Sequence, residues 1–314
     1  MILQVNYFIM LVMLVELLVL VLVSISFLTL LERKLLSYMQ LRKGPNKTGF
    51  IGLLQPFSDG VKLFTKEFAV GFKVNRLLYY MCPLYGMLLM FSCWTSLPYT
   101  VNFMSHGANG LLIICILSAG VYLLIFSGWF SSTPLGMLGS IRSVAQTISY
   151  EVSLIFIIYS VLMLAGGFDL FELYETQKFS WFILTLPISA FMFFVSMLAE
   201  LNRTPFDLSE GESELVSGFN TEYGASIFSL FFLAEYGMIM FMGFMFSLFF
   251  LGGKYFCWSF YVSVVLIIMV IIWVRGTFPR MRYDHVMTLV CKDFLFLIFG
   301  VLVFVCCLLM ILLD

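Results

Sequence analysis

The residues with the most chemistry to offer lie between positions 199 and 214. They read Ala199-Glu200-Leu201-Asn202-Arg203-Thr204-Pro205-Phe206-Asp207-Leu208-Ser209-Glu210-Gly211-Glu212-Ser213-Glu214, five acids around a single Arg. On a helix, Asp207, Glu210 and Glu214 would share one face and Glu212 would lie on another. Pro205 and Gly211 argue against a regular helix, yet any compact path crowds these groups. Crowded carboxylates cannot all ionise, so some pKa values rise and the cluster titrates as a unit. Groups poised between protonated and ionised states can pass protons. A merely solvated acidic loop is the alternative.

Three further carboxylates sit inside apolar runs, where each costs about 2.5–3.5 kcal/mol to insert near mid-membrane. Glu151 lies about two turns into its run, Glu235 is near the middle of another, and Glu16 lies in the first run without charged neighbours. Each could be a neutral or snorkelling residue at a helix interface. Glu151, Glu200 and Glu235 could instead extend the acidic cluster into the membrane as a relay.

The elements that must position these groups are helices in lipid. Of the 314 residues, 62% are hydrophobic and 11% charged, with mean hydropathy +1.04, far from the charged quarter of a soluble domain. The net charge of −1 excludes a generally basic nucleic-acid binder. Apolar runs occur near 7–31, 77–98, 111–130, 144–166, 180–200, 226–250, 258–278 and 292–313. They predict an all-α polytopic transmembrane bundle of about eight spans. The first run is too long for a cleaved signal core and reads as a span. A single membrane domain over 1–314 is expected, with loops on one side near 32–76, 131–143, 201–225 and 279–291.

The basic residues orient the bundle. Nine lie between Arg33 and Arg76, followed by Arg142, Arg203, Arg275, Arg280, Arg282 and Lys292, all in or beside connections after odd-numbered spans. Only Lys178 and Lys254 lie opposite. The positive-inside rule places the basic loops on the cytoplasmic or matrix side. In the first of them, Gly44-Pro45-Asn46 marks a turn, and an amphipathic stretch follows Gln55-Pro56. Phe57, Val61, Phe64 and Phe68 line one face of it, and Asp59, Lys62 and Lys66 another. Such a helix can lie in the membrane interface or close the loop as a surface helix.

The seven cysteines form no C-x-x-C pair, and His106 and His285 fall in different loops. Metal ligation is not expected, and any redox centre would belong to a partner. There is no G-x-S-x-G, P-loop, dinucleotide-binding glycine turn or H-E-x-x-H. The aromatic content of 18% suits a slot for a flat apolar head group but carries little weight alone.

Several long motifs, in order, resemble the chain 1 family of NADH-ubiquinone oxidoreductase, the respiratory complex I membrane subunit nearest the peripheral arm. They are Leu31-Glu32-Arg33-Lys34, Arg42-Lys43-Gly44-Pro45-Asn46, Gln55-Pro56-Phe57 with Asp59, Lys62-Leu63-Phe64, and Ala145-Gln146-Thr147-Ile148-Ser149-Tyr150-Glu151. Glu200 to Asp207, Glu210 to Asn220, Ala234-Glu235-Tyr236 and Pro279-Arg280-Met281-Arg282-Tyr283-Asp284 complete the set. The resemblance implies a core subunit that frames the entrance and chamber of ubiquinone and couples its reduction to proton translocation. Glu151, Glu200, Asp207, Glu210, Glu212, Glu214 and Glu235 become candidate relay carboxylates. Glu32, Arg33, Arg42, Asp59, Lys62, Phe64, Arg142, Arg203, Phe219 and Arg282 become candidate chamber or interface residues.

The resemblance also implies FMN and iron–sulfur clusters on partner subunits, ubiquinone as substrate, and other complex I subunits and membrane lipids as partners. No metal is expected on this chain. Length, the lack of a presequence and richness in Phe and Met resemble an organelle-encoded animal chain of the mitochondrial inner membrane, basic loops facing the matrix. Leu201, Thr221 and Gly276 stand where Thr, Val and Ala are common in the family, and none removes a charged motif residue. Two other classes stay open: a secondary transporter using its membrane acids, and an anchor for a peripheral complex. The transporter reading would be favoured by broken helices in related halves, and no internal repeat is visible.

Overall fold

The computed structural model describes residues 2–67, 74–99, 107–178, 180–209, 211, 218–253 and 257–313. Phe68, His106, Glu210, Glu212, Glu214 and Lys254 lie outside the described residues. The described residues are helices, turns and connections without a strand. Helix α1 (Ile2–Met39) is followed by the surface helix α2 (Gln55–Thr65), then by α3 (Arg76–Thr95), α4 (Asn109–Ser131) and α5 (Pro134–Ala165). Next come the short α6 (Leu170–Thr176) and α7 (Phe182–Thr185), then α8 (Pro187–Glu200). A 3₁₀ turn at Gly218–Asn220 leads to α9 (Ala225–Phe250) and α10 (Trp258–Thr277). Finally α11 (Tyr283–Thr288) continues through a π turn at Leu289–Phe294 into α12 (Leu295–Leu313).

Seven of these stretches are long and apolar enough to cross a membrane: Ile9–Met39, Arg76–Thr95, Asn109–Ser131, Pro134–Ala165, Ala225–Phe250, Trp258–Thr277 and Tyr283–Ile311. The fifth expected span, near 180–200, is broken at Leu186 (φ −126°, ψ 62°) into α7 and α8. Pro187 explains the break, because proline disfavours helical backbone in the residue before it and lacks an N–H. The remaining α8 is about 21 Å long, short of a hydrocarbon core of about 30 Å.

Helix α5 begins at Pro134, ten residues before the apolar run that announces it, so most of the stretch read as a loop near 131–143 is helical. Thr133 caps it, its hydroxyl accepting from the Gly136 N–H at 3.3 Å, and Pro134 occupies the first turn. The glycines and serines there are packing residues. A Cβ on Gly139 would come within 2.9 Å of Gly218 Cα, so helix and 3₁₀ turn touch backbone to backbone. The opposite end of α5 closes at Gly166 with φ 84°, a left-handed residue suited to glycine.

Helix α9 is the central element, packed by α3, α10, α1 and α2. Apolar on nearly every side apart from Glu235, it can be largely enclosed, and Phe241, Phe249 and Phe250 have no measurable exposure. Its far end is closed by a side chain: Gln177 Nε2 donates to the carbonyls of Leu248 (3.2 Å) and Phe249 (2.9 Å), while its Oε1 accepts from Gly252 N–H (2.7 Å). A second cluster ties the 218–224 segment to α3 and α4. Tyr79 stacks on Tyr223 with centroids 4.3 Å apart, Tyr79 OH donates to Glu222 O (2.6 Å), and Tyr223 OH donates to Ser127 O (3.2 Å).

Helix α1 behaves differently along its length. Val21, Ile25 and Leu28 are buried against the bundle, whereas no residue from Ile9 to Glu16 is buried.

Candidate functional site

A buried ion cluster forms where α1, the 201–209 connection and the end of α10 meet. Glu32, only 4% exposed, accepts from Arg203 at 3.4 Å and pairs with Arg275 through the same oxygen, Oε1. The Arg203 guanidinium lies over the Tyr236 ring, 4.8 Å from its centroid. Burial by itself would weaken Arg203's charge, but Glu32, reinforced by Tyr236 and Glu235, outweighs it and holds the guanidinium pKa above its ordinary value. Arg280 pairs with Asp207 at 3.2 Å, and Met281 N–H donates to Pro205 O at 2.9 Å. These contacts fasten the 201–209 turns to the 275–282 segment.

Helix α5 holds the same connection from the other side. Gln146 Nε2 donates to the carbonyls of Ala199 (2.9 Å) and Phe206 (2.8 Å), and the Tyr150 ring packs on Phe206 at 5.5 Å. Between Leu201 and Ser209 the backbone forms turns rather than a helix. The geometry that would have put Asp207 on a common helical face is therefore absent at its own position, as Pro205 dictates.

A cavity of about 170 Å³ opens beside this cluster. Its polar wall carries Glu200, Asn202, Arg203, Asp207, Glu235 and Arg275; its apolar wall is formed by α3, α4 and α9 through residues such as Gly86, Met90, Gly120 and Phe231. Glu200 Oε2 and Asn202 Oδ1 are shielded from solvent with no hydrogen-bond partner among the described residues. Glu151, half-buried on α5, lies within electrostatic range of Glu200, and Glu235 within range of Arg203. Unmatched buried acceptors beside a cavity of this size suit ordered water, which can bridge carboxylates.

Four of the expected relay carboxylates, Glu151, Glu200, Asp207 and Glu235, thus belong to one neighbourhood, with Glu32 and Arg203 at its edge. Phe219 is buried against Phe231 (6.0 Å) and reaches the cavity wall. A second group lies apart on the surface. Arg33 pairs with Asp59 at 2.5 Å, and Gln55 donates to the same carboxylate at 2.9 Å, docking α2 on the end of α1. The Phe57 ring meets Phe27 edge-on at 6.0 Å, while Phe57, Val61 and Phe64 remain exposed along the apolar face of α2. Lys62 and Arg42 are exposed, Arg142 is half-buried, and Arg282 forms an exposed pair with Asp284 at 2.9 Å.

Two members of the cluster receive no role from the sequence. Arg275 counts there only toward orientation, and Tyr236 only as part of a motif. An arginine in the last turn of an apolar helix calls for a partner, which is the signal that points to Arg275.

The model of the NADH dehydrogenase family matches residues 11–306. The chain is 50% identical over 275 residues to NADH-ubiquinone oxidoreductase chain 1 of Aedes aegypti, covering 88% of each chain. It is 48% identical over 279 residues to that of Locusta migratoria, covering 89% of each. The chain 1 protein of Emballonura alecto is 45% identical over 282 residues, 88% of this chain and 89% of its own.

Proposed function

Because this chain belongs to the NADH dehydrogenase family, we propose that it works as the membrane subunit of a proton-pumping NADH:ubiquinone oxidoreductase in the mitochondrial inner membrane, coupling quinone reduction to proton movement. Its relatives, named NADH-ubiquinone oxidoreductase chain 1, supply the reaction. The observation that carries the coupling role is the shared cavity, which gathers Glu200, Asp207 and Glu235 beside Arg203.

On this reading the chain has two working regions. The exposed aromatic face of α2, latched by Arg33 and Asp59, borders the quinone entrance, where apolar rings favour an isoprenoid substrate over water. The charged cavity senses the reaction. Protonation or charge change at one carboxylate alters its neighbours, because they share a low-dielectric space where Coulomb interactions are strong. Glu151 and Glu200 extend the sequence of acids to the α5 side, and Glu235 extends it along α9. Arg203 and Arg275, fixed on Glu32, provide a permanent positive field beside it. Glu210, Glu212 and Glu214 continue the same chemistry in the sequence.

On this reading the electron carriers, FMN and iron–sulfur clusters, belong to partner subunits. The basic first loop supplies the docking surface for a peripheral arm on the matrix side, following the charge asymmetry.

The test is made in the assembled enzyme. Glu151→Gln and Glu200→Gln are expected to keep assembly while lowering proton pumping and quinone reduction together. Assembled enzyme with normal pumping in both variants would refute the relay. A photoreactive quinone analogue should label residues near Asp59 on α2, and labelling confined to other subunits would remove the entrance role.

A further inference from the structure

Glu16 is the only charged residue between Met1 and Leu31, and the relay has no use for it. It is exposed, and so are its neighbours above and below on the same helical face: Val12, Met13, Val19, Leu20, Val23 and Phe27. Among the described side chains of α1, from Ile9 onward, the first buried one is Val21. Leu17 packs partly buried against the core, so the carboxylate of Glu16 lies on the side of the helix turned away from its own bundle.

Depth makes this arrangement expensive in lipid alone. Glu16 lies sixteen positions before Glu32, about 24 Å along the axis, while the apolar run continues for nine residues beyond it to Tyr7. If the run is centred in a core of about 30 Å, Glu16 is within about 5 Å of the midplane. Its two-carbon stem is half as long as that of lysine and does not reach either boundary from there, so snorkelling gives little relief. Hydrophobic contact would never select a carboxylate at such a point; a complementary charge would.

We propose that the outer face of α1 around Glu16 docks a transmembrane helix of a neighbouring subunit, and that this helix carries a lysine or arginine at the depth of Glu16. The inference rests on the reading of this chain as one subunit of a membrane assembly. Charge complementarity names the occupant. A second copy packed through the same face would set Glu16 against Glu16, which repels. The chain's own nearest cations along α1, Arg33 and Lys34, lie more than about 24 Å away and on the wrong side of the membrane core. With a cationic partner, the exposed Val12, Val19 and Leu20 become the apolar rim of a helix–helix contact.

The intact assembly decides the matter directly. A structure of the complex in lipid nanodiscs is expected to show a lysine or arginine nitrogen from another subunit within about 4 Å of the Glu16 carboxylate. Acyl chains alone around Glu16 would overturn the proposal while leaving the chain's membership of the complex intact. Two variants provide an independent measure. In Glu16→Leu enzyme the neighbouring subunit should dissociate in detergent at least tenfold faster. In Glu16→Lys enzyme it should be lost, and reversing the partner's charge should restore it. Dissociation at the wild-type rate in both variants would refute the ion pair, since neither substitution disturbs a buried residue of this chain.

Discussion

Replacing Glu32 with alanine tests how the charged cluster is held together. The variant leaves Arg203 and Arg275 side by side with no carboxylate between them. Arg203 is 13% exposed at its side chain and Arg275 36%, so the two lose unequal amounts. Breaking a buried pair by removing one partner costs about 3–5 kcal/mol, whereas a solvent-screened pair contributes about 0–1 kcal/mol. The Arg203 contact dominates and the expected loss is about 3–4 kcal/mol, since the 3.4 Å separation is longer than an ideal charge-assisted bond. For a chain of this length that corresponds to a melting shift of roughly 5–10 °C. The assay is thermal unfolding of the purified complex in detergent, followed by chain-specific proteolysis. The double variant Glu32→Leu with Arg203→Leu should be more stable than Glu32→Ala, because it removes the stranded charge along with its partner. If Glu32→Ala shifts unfolding by less than about 1 kcal/mol, or the double variant is no better, the cluster is not the clamp described above.

Three further outcomes follow from particular contacts. Gln146→Leu removes the side-chain donor from the carbonyls of Ala199 and Phe206, which keep the backbone N–H groups of Asn202 and Leu208; it should cost about 1–3 kcal/mol and lower pumping per quinone reduced, measured in proteoliposomes. Gly237→Ala would place a Cβ 2.6 Å from Met90 Cγ, a flexible side chain. It should destabilise by about 1–3 kcal/mol, and adding Met90→Ala should cost less than the sum of the two single changes by about 1 kcal/mol or more. Gly139→Ala meets backbone at Gly218 instead, so it should be the more damaging of the two glycine variants, and no single side-chain truncation should rescue it in the same unfolding assay.

The membrane character, the α2 surface helix and the membership of Glu151, Glu200, Asp207 and Glu235 in one neighbourhood can be read from apolar runs, an amphipathic period and residues too polar for their surroundings. What escapes is mostly a matter of partners. Gly136, Gly139, Ser140 and Ser143 lower the hydropathy before position 144 and so imitate a loop, while the missing side chain of Gly139 is what lets α5 touch Gly218. Leu186 is apolar and gives no warning of the break, which comes from Pro187. Arg275 is 243 residues from Glu32, and no local pattern can join them. Gln146 reads as an ordinary motif residue until the two carbonyls it serves are brought to it from 53 and 60 residues away.

The Gln177 closure of α9 has a mechanical consequence. By gripping the carbonyls of Leu248 and Phe249, it makes that end of the helix a fulcrum. Glu235 sits fourteen residues nearer the opposite end, at the tip of a lever about 20 Å long. A swing of about three degrees at the fulcrum carries the carboxylate through about 1 Å, enough to turn a hydrogen bond of about 2.9 Å into no bond at all. Small tilts of a stiff rod, rather than unfolding or sliding, are therefore sufficient to connect and disconnect the groups beside Glu235.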